Sequence, residues 1–249
     1  MYTGILITTS VLLFNTNRMV TESDESTILG KEIESNQIKN KISTFVTPDI
    51  KKSAENIEVS AEFDKEVTLK DLVDSTENIA IVRVISLDSS SAQYDHVVGN
   101  TYGKLMVNTV IKGTTKEEEV IEYAALGGYL TIADWEQYQP SAANEKRDFL
   151  RQQSGTVSNK NEAYIHLQFE NNIDIEEGKT YIAYLNYNSE MGKYEIVGFA
   201  DGLMELSIEK ENKNISMLDV DTKQVKIKNN HTGEYENLES YIEKVKSYI

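Results

Sequence analysis

The sequence predicts a mainly β domain: a closed or partly open antiparallel barrel that carries a helical insertion and ends in a helix. Three successive runs between Asn78 and Tyr123 have the apolar and polar pattern of neighbouring strands. A second group of strand-like runs follows between Ala163 and Ile208. Residues 128–162, which separate the two groups, differ in character and are predicted to form the insertion.

Composition limits the possible partners. The chain has 249 residues, of which 39% are hydrophobic, and this is enough to bury a core. Its 25 basic and 41 acidic residues give a net charge of −16 at pH 7. A field of this sign repels phosphate backbones and anionic membranes, so we expect no nucleic-acid partner and consider a basic protein or a cation more natural. The alternative is that the acidic charge only keeps the protein soluble.

Cysteine is absent from the chain. Disulfides, thiolate metal sites and cysteine nucleophiles are therefore all excluded. The absence also removes the lipidated cysteine that would anchor a bacterial lipoprotein.

Residues 1–20 are predicted to be a signal or anchor segment. An apolar run at 4–14 has the length of a signal-peptide core and is too short to span a membrane. No Lys or Arg precedes this run and no clean cleavage site follows it, so a buried element of the domain is the alternative. A signal segment would make the protein secreted or associated with the cell envelope, with membrane contact only through this segment.

The remaining chain divides into three parts. Residues 21–60 are rich in charged residues, Asn and Ser, and are predicted to be a flexible polar spacer. Pro48 would interrupt any helix that continued through it. The barrel domain is predicted at 61–210, and C-terminal strands and a helix that pack on the barrel at 211–249.

The front half of the barrel follows a short helix. Thr68 can cap this helix, with Asp71 at its third position in a capping-box arrangement. The first strand begins at Asn78 and is apolar on both faces, which is typical of a central strand or a barrel wall. The second strand, 104–111, alternates, and the third runs into Gly127-Gly128, where a sharp bend or a close backbone approach is possible.

The insertion at 128–162 contains the only Trp of the chain. Tyr129, Trp135 and Tyr138 form the candidate contact surface for a partner, because long connections are often functional and aromatic side chains are frequent anchors. The alternative is that these aromatics only cover one end of the barrel. Pro140 then precedes a stretch that is predicted to be helical, since Pro is favoured near a first turn.

The back half is predicted from a second set of strands. Its strands are a run at 163–169, a hairpin of 180–187 with 193–199, and a run at 203–208. Two weaker strands are predicted at 215–220 and 224–228. Asn237 caps a final helix that is apolar on one side and should pack on the barrel.

This order of elements carries a resemblance, and the segments concerned are 75–84, 107–113, Gly127-Gly128 and 177–185. Together they resemble a group of uncharacterised exported proteins of Gram-positive bacteria. The barrel of that group is similar in pattern to the OB-like netrin module and to tissue inhibitors of metalloproteinases. Those inhibitors chelate the target's metal through an N-terminal cysteine, which this chain lacks. The inhibitory mechanism is therefore not carried over, and no residue inherits a role.

Residue types that bind metals or carry out catalysis do not fall into a recognisable spacing. The histidines are too far apart for a zinc-protease motif, and we interpret each as a surface or strand residue: His96, His166 and His231. Gly178-Lys179-Thr180 imitates the end of a phosphate-binding loop, but Ile173 replaces its first glycine. Carboxylates at 172–176 and 219–221 do not follow the spacing of a calcium loop. We predict no metal and no cofactor.

Two classes of function fit these observations. The first is a non-enzymatic binding or interaction module, exported to the bacterial cell envelope, whose partner is another protein or an envelope component. The alternative is a cell-envelope hydrolase that uses Asp134 or Glu136 with another acid. Since no paired catalytic motif is present, the sequence favours the binding module and assigns no catalytic residue.

Overall fold

The computed structural model describes residues 43–59, 67–93, 96–155, 159–169, 171–208 and 224–249. The protein is mainly β, as the sequence predicts. The helices in this part of the chain are α1 (Pro48–Ser53), α2 (Leu69–Ser75), α3 (Ile132–Glu136), α4 (Ser141–Ser154) and α5 (Leu238–Lys246). The strands are β1 (Ser43–Thr44), β2 (Glu55–Val59), β3 (Asn78–Gln93), β4 (His96–Lys112), β5 (Val120–Leu126), β6 (Gly128–Thr131), β7 (Tyr164–Phe169), β8 (Thr180–Asn188), β9 (Lys193–Ile196), β10 (Leu203–Ile208), β11 (Val225–Lys228) and β12 (Tyr235–Asn237).

Five strands of the larger sheet form a ring of hydrogen-bonded pairs. β3 pairs with β4 and β8, β4 continues to β5, β5 pairs with β9, and β9 returns to β8. All of these pairs are antiparallel except β5 with β9, which is parallel. The predicted all-antiparallel arrangement is wrong at this contact, because strand direction cannot alternate all the way round a ring with an odd number of strands. β10, β11 and β12 extend the sheet from β8.

Alternate residues of the ring strands fill its interior. Ala80, Val82 and Val84 of β3 face this core, which also contains Leu105, Val107, Ile121, Tyr123, Tyr181, Ala183 and Leu185. The intervening residues Ile79 and Ile81 belong to a second core on the outer side of the sheet. The two apolar faces of this strand therefore mean that it is covered on both sides, as the sequence indicates.

Helices α2 and α5 pack in the core on the outer face of the barrel. α2 begins with the predicted capping box, in which Thr68 Oγ1 accepts from Asp71 N at 3.2 Å and Asp71 Oδ2 accepts from Thr68 N at 3.2 Å. Asn237 Oδ1 caps α5 by accepting from Ser240 N at 3.2 Å. The C-terminal helix packs on the barrel as predicted, through Leu238, Tyr241 and Val245.

A second, smaller sheet lies beside the barrel in the order β2-β7-β6. β6 and β7 are antiparallel, whereas β2 and β7 are parallel. α3 packs against this sheet through Ile132 and Trp135, in a core shared with Leu130, Ile165 and Leu167. The predicted helix after Pro140 is confirmed as α4, but the insertion at 128–162 opens with a strand and is only partly helical.

The predicted flexible spacer at 21–60 is wrong over residues 43–59. Thr47 Oγ1 accepts from Ile50 N at 3.3 Å, and Pro48 occupies the first turn of α1, where its missing N–H costs no helical hydrogen bond. β2 then pairs with β7, a strand about a hundred positions further on, as the register of Asn56 with His166 shows. Pairing over such a distance leaves no periodic signal in the sequence.

Several predictions fall on residues outside the described part of the chain: the signal segment at 1–20, the spacer up to residue 42, and the weak strand at 215–220. Among the helices that are described, none has the length and apolar composition needed to cross a membrane.

Candidate binding cavity at the barrel mouth

A cavity of about 50 Å³ lies at the end of the barrel where β5 leaves the ring. Its apolar wall comes from the ends of the barrel strands, with Leu87, Ala125, Ile196 and Leu203. The small sheet contributes Tyr129, Leu167, Gln168 and Phe169, and the connection between β7 and β8 contributes Asn172, Ile173, Asp174 and Ile175. Lys51 of α1 also lines the cavity. The barrel, the small sheet and the first helix thus meet at one place.

The glycine pair at 127 and 128 makes this junction possible. Both residues have a positive φ, +83° and +100°, a backbone conformation that residues other than glycine rarely adopt. A Cβ atom at Gly128 would overlap Thr101 Oγ1. Thr101 Oγ1 in turn donates to Gly127 O at 2.8 Å. The chain therefore bends sharply from β5 into β6 and passes close to β4. The sharp bend and the close backbone approach that the sequence allows at this glycine pair are both present.

His166 fixes the β7–β8 connection over the cavity. Its ring stacks on that of Tyr129, with 4.4 Å between centroids and 11° between planes. Its Nε2 lies 2.8 Å from Asp174 Oδ1, and its Nδ1 lies 3.1 Å from Asn56 Oδ1. The imidazole thus links the small sheet to Asp174, which is one of the residues of the β7–β8 connection that line the cavity.

The mouth of the barrel carries an excess of negative charge. Glu177 Oε1 accepts from Leu87 N at 3.0 Å, and burial, with the nearby charge of Asp88, raises the pKa of the Glu177 carboxyl. Burial also raises the pKa of the Tyr129 hydroxyl, to which the charges of Asp174 and Glu176 add. Lys179 Nζ offsets part of this negative charge, because it forms ion pairs with Glu176 Oε1 at 2.9 Å and with Glu205 Oε1 at 3.0 Å.

The polar part of the lining offers hydrogen-bond acceptors. Asn172 Oδ1 is buried, and no donor among the described residues reaches it. Gln168 Nε2 already donates to Asn172 O at 3.1 Å. The carboxylate of Asp174 receives its one described contact from His166. The ammonium of Lys51 and the hydroxyl of Tyr129 belong to the same lining, so the cavity offers both hydrogen-bond donors and acceptors.

The three aromatic residues predicted as a contact surface have different places. Tyr129 is partly buried and lines the cavity. Trp135 is only 4% exposed, because it fills the core of the insertion, and the guanidinium of Arg147 lies 4.4 Å from its ring centroid. Tyr138 is partly buried against the same core. They do not form one exposed surface, and Tyr129 alone of the three lies at the cavity.

The acids of the hydrolase alternative have structural partners. Asp134 Oδ2 accepts from Ala92 N at 2.9 Å, and its Oδ1 accepts from Gln137 Nε2 at 2.6 Å. Glu136 is 6% exposed and is held by Arg151 and by Lys160, the latter at 2.7 Å. Neither carboxylate lines the cavity.

Sequence reasoning missed the cavity. His166 is a strand histidine as interpreted, but its contact with Asn56 could not be foreseen, because Asn56 lies 110 positions away. The available signal was the alternation of polar and apolar residues at 172–176, shortly after the end of β7 at Phe169. Over the described ranges, no group of three or more His, Asp or Glu residues is placed to hold a metal ion.

Comparison with protein-family models, with curated proteins and with solved structures found no match to this chain.

Proposed function

We propose that the protein is a non-enzymatic binding module, exported to the bacterial cell envelope, which binds another protein or an envelope component at the mouth of an OB-like barrel. The OB-like assignment is supported by the order of the ring. β3, β4 and β5 follow one another, and β8 then returns by a long connection to lie beside β3. A five-stranded barrel with this Greek-key return is the pattern of that fold.

The cavity is the observation that carries the proposal. It combines an apolar wall with a few polar groups, which is the usual composition of a binding site. Its residues come from distant parts of the chain, and the stacked and hydrogen-bonded side chain of His166 holds two of these parts together. Such a construction favours a preformed site over an accidental gap in packing.

The size of the cavity favours one kind of occupant. A single buried water needs about 10–15 Å³ in the same measure, so a volume of about 50 Å³ has room for a few waters or for the end of one side chain. Pockets for whole drug-sized molecules or cofactors are several times larger, about 300–1,000 Å³. A partner that inserts one group and contacts the surrounding rim therefore fits better than an enclosed small molecule.

Export is supported by the sequence through the apolar run at 4–14. The hydrolase alternative has no comparable support, since Asp134 and Glu136 are both engaged by structural partners away from the cavity. The binding module is therefore the function that we carry forward.

Site-specific photo-crosslinking tests the proposal. Gln168 is an exposed residue of the cavity rim, and Glu239 is an exposed residue of α5, on the outer face of the barrel. We expect p-benzoylphenylalanine at Gln168, in the full chain exposed to a cell-envelope preparation, to form a defined adduct. The same group at Glu239 should not form it. Mass spectrometry of the adduct would identify its class, and no adduct, or the same adducts at both positions, would contradict the proposal.

A further inference from the structure

Residues 43–59, here called the strap, run from the barrel to the small sheet and pass the cavity on the way. At one end β1 pairs with β3, and Val46 is buried in the barrel core. At the other end β2 pairs with β7 of the small sheet. α1, which lies between the two ends, has no buried residue. The strap supplies Val46 and Lys51 to the cavity lining, and it is held mainly by its ends.

The β2 end of the strap depends on side-chain contacts. The two apolar residues of β2 are only partly buried, and its other three residues are exposed. Glu55 Oε2 lies 3.3 Å from Arg151 Nη2, and Asn56 Oδ1 lies 3.1 Å from His166 Nδ1. The second of these contacts changes with the protonation of an imidazole.

His166 has an oxygen atom at each of its ring nitrogens. Nε2 lies 2.8 Å from Asp174 Oδ1, and Nδ1 lies 3.1 Å from Asn56 Oδ1. A neutral imidazole has one N–H donor and one acceptor nitrogen, whereas the imidazolium donates from both nitrogens. Only the charged ring therefore serves both oxygens. Because a carboxylate is a stronger acceptor than an amide, the neutral ring keeps its proton at Nε2 and loses the contact with Asn56.

The neighbours of the ring leave histidine as the group that changes charge near neutral pH. The titratable groups that face it from the packed elements are Asp174 and Glu176 of the β7–β8 connection, Glu58 of β2, Tyr129 of β6 and Lys51 of α1. Carboxylates ordinarily titrate near pH 4, and burial raises the pKa of the Tyr129 hydroxyl. Glu177, whose pKa is also raised, contacts Leu87 N on the barrel side. Histidine ordinarily changes charge between about pH 5 and 8.

We propose that His166 is a pH-sensitive latch for the β2 end of the strap, closed when the imidazole is protonated and released when it is neutral. In the closed state the ring bridges Asp174 and Asn56, so the β7–β8 connection and the strap are both tied to β7. At higher pH Asn56 is released, while Val46 still holds the strap at its barrel end. The cavity wall provided by α1 is then free to move, so the cavity becomes more accessible as the pH rises through the range of histidine.

Hydrogen exchange of the full chain, measured by mass spectrometry of peptic fragments, tests the latch. Rates at about pH 5.5 and about pH 8, on either side of the histidine range, are divided by the intrinsic rates of an unstructured chain to give the protection of each segment. The fragment over β8, in the ring, is the reference for any change in global stability. Relative to β8, we expect the protection of β2 to fall about tenfold with rising pH, as the loss of one hydrogen bond implies.

Matched variants assign the change to one histidine. His166→Gln stays neutral and should abolish the pH dependence. His231→Gln removes an exposed histidine that contacts Asp201, and it should leave the pH dependence as in the wild type. Asn56→Asp, at an exposed position, places a carboxylate against Nδ1 and should enlarge the change, which keeps the test decisive if His166→Gln does not fold.

The direction of the change decides the outcome. If the amide of Asn56 presented Nδ2 to the ring, it would donate to the neutral imidazole, and the protection of β2 would rise with pH. Such a rise would overturn the latch, as would protection that does not vary relative to β8 or a fall that persists in His166→Gln. None of these results depends on a crosslink from position 168, so the latch and the proposed binding function are tested separately.

Discussion

At the scale of single residues, a buried pair of tyrosine hydroxyls joins the C-terminal helix to the barrel. Tyr184 of β8 and Tyr241 of α5 are joined by a hydrogen bond of 2.9 Å between their hydroxyl oxygens. Burial raises the pKa of Tyr184 to about 12, and burial together with Tyr184 raises the pKa of Tyr241. Both groups therefore stay neutral at physiological pH, and each satisfies the other.

Removal of both hydroxyls should cost less than the two single removals added together. Tyr241→Phe leaves the Tyr184 hydroxyl without a partner, and we expect a loss of about 1–3 kcal/mol in the free energy of unfolding. Tyr184→Phe should have a similar effect, because it strands the other hydroxyl. The double variant should lose clearly less than the sum, and urea unfolding of all four proteins measures this. Strict additivity would contradict the pairing.

The aromatic residues of the insertion show what sequence can predict at this scale. The pattern identified Tyr129, Trp135 and Tyr138 as large side chains in an unusual segment, but it could not separate those that pack inwards from those at a surface. Trp135 and Ile132 are one helical turn apart and fill the same core. Tyr129 differs because its neighbour across the small sheet is His166. Other partners of these side chains, Ile165 and Leu167 for Trp135 and His166 for Tyr129, lie about thirty or more residues further along the chain.

At the scale of elements, substitution of glycine can measure how tightly the junction between β5 and β6 joins the two sheets. Gly128 and Gly155 both have positive φ, but only at Gly128 would an added Cβ meet other atoms. Gly155 ends α4 and has open space around it. The two positions therefore separate the cost of backbone strain from the cost of a clash.

Gly155→Ala should cost about 1–2 kcal/mol, which is the strain of a left-handed residue with a side chain. Gly128→Ala should cost more, because the new methyl group must also displace Thr101 and disturb its hydrogen bond to Gly127. Thermal and urea unfolding of the two variants provide the comparison. Equal losses would show that β6 can move away from β4 without penalty.

Elements with a strong local pattern were predictable, and elements held by distant partners were not. The ring strands, the capping box of α2 and the capped C-terminal helix were predicted because alternation and capping residues are local signals. α1 and β2 were missed because they are short and sparsely apolar, and β2 is defined by its pairing with β7. The parallel contact of β5 with β9 follows from ring closure and not from any run of residues.

At the scale of the whole molecule, Glu177 links stability to pH. Burial, its largest influence, raises the pKa of its carboxyl above the usual value, so the charged form is less favourable in the folded than in the unfolded state. The carboxylate therefore opposes folding at neutral pH. This penalty shrinks as the pH falls through the raised pKa and is gone below the ordinary glutamate pKa, where both states are protonated.

Glu177→Gln removes the charge and keeps an oxygen acceptor for Leu87 N. We expect this variant to be more stable than the wild type at pH 7, and its advantage to shrink as the pH is lowered to about 4, near the usual pKa of a glutamate. Urea unfolding at a series of pH values measures the difference. Glu190→Gln, at an exposed turn position, is the control for the loss of a surface charge. A difference that does not vary with pH would contradict the assignment.

The cavity belongs to this largest scale, which explains why the sequence did not reveal it. Its lining comes from α1, the ring, the small sheet and the β7–β8 connection. Only the assembled fold brings Asn56, His166 and Asp174 into contact. The net negative charge indicates a cationic or basic partner, and this stays a prediction.

Closure of the ring also bears on self-association. A strand that is paired on both sides has no backbone groups left to recruit a strand from another molecule, and β3, β4, β5, β8 and β9 share this protection over their paired lengths. Among the described strands, the terminal ones of each sheet are short or charged: β1 has two residues, β12 has three, β6 has four, and β2 carries Glu55 and Glu58. Within the described residues, backbone pairing with another molecule is therefore left to these short or charged strands and to the unpaired lengths of the ring strands.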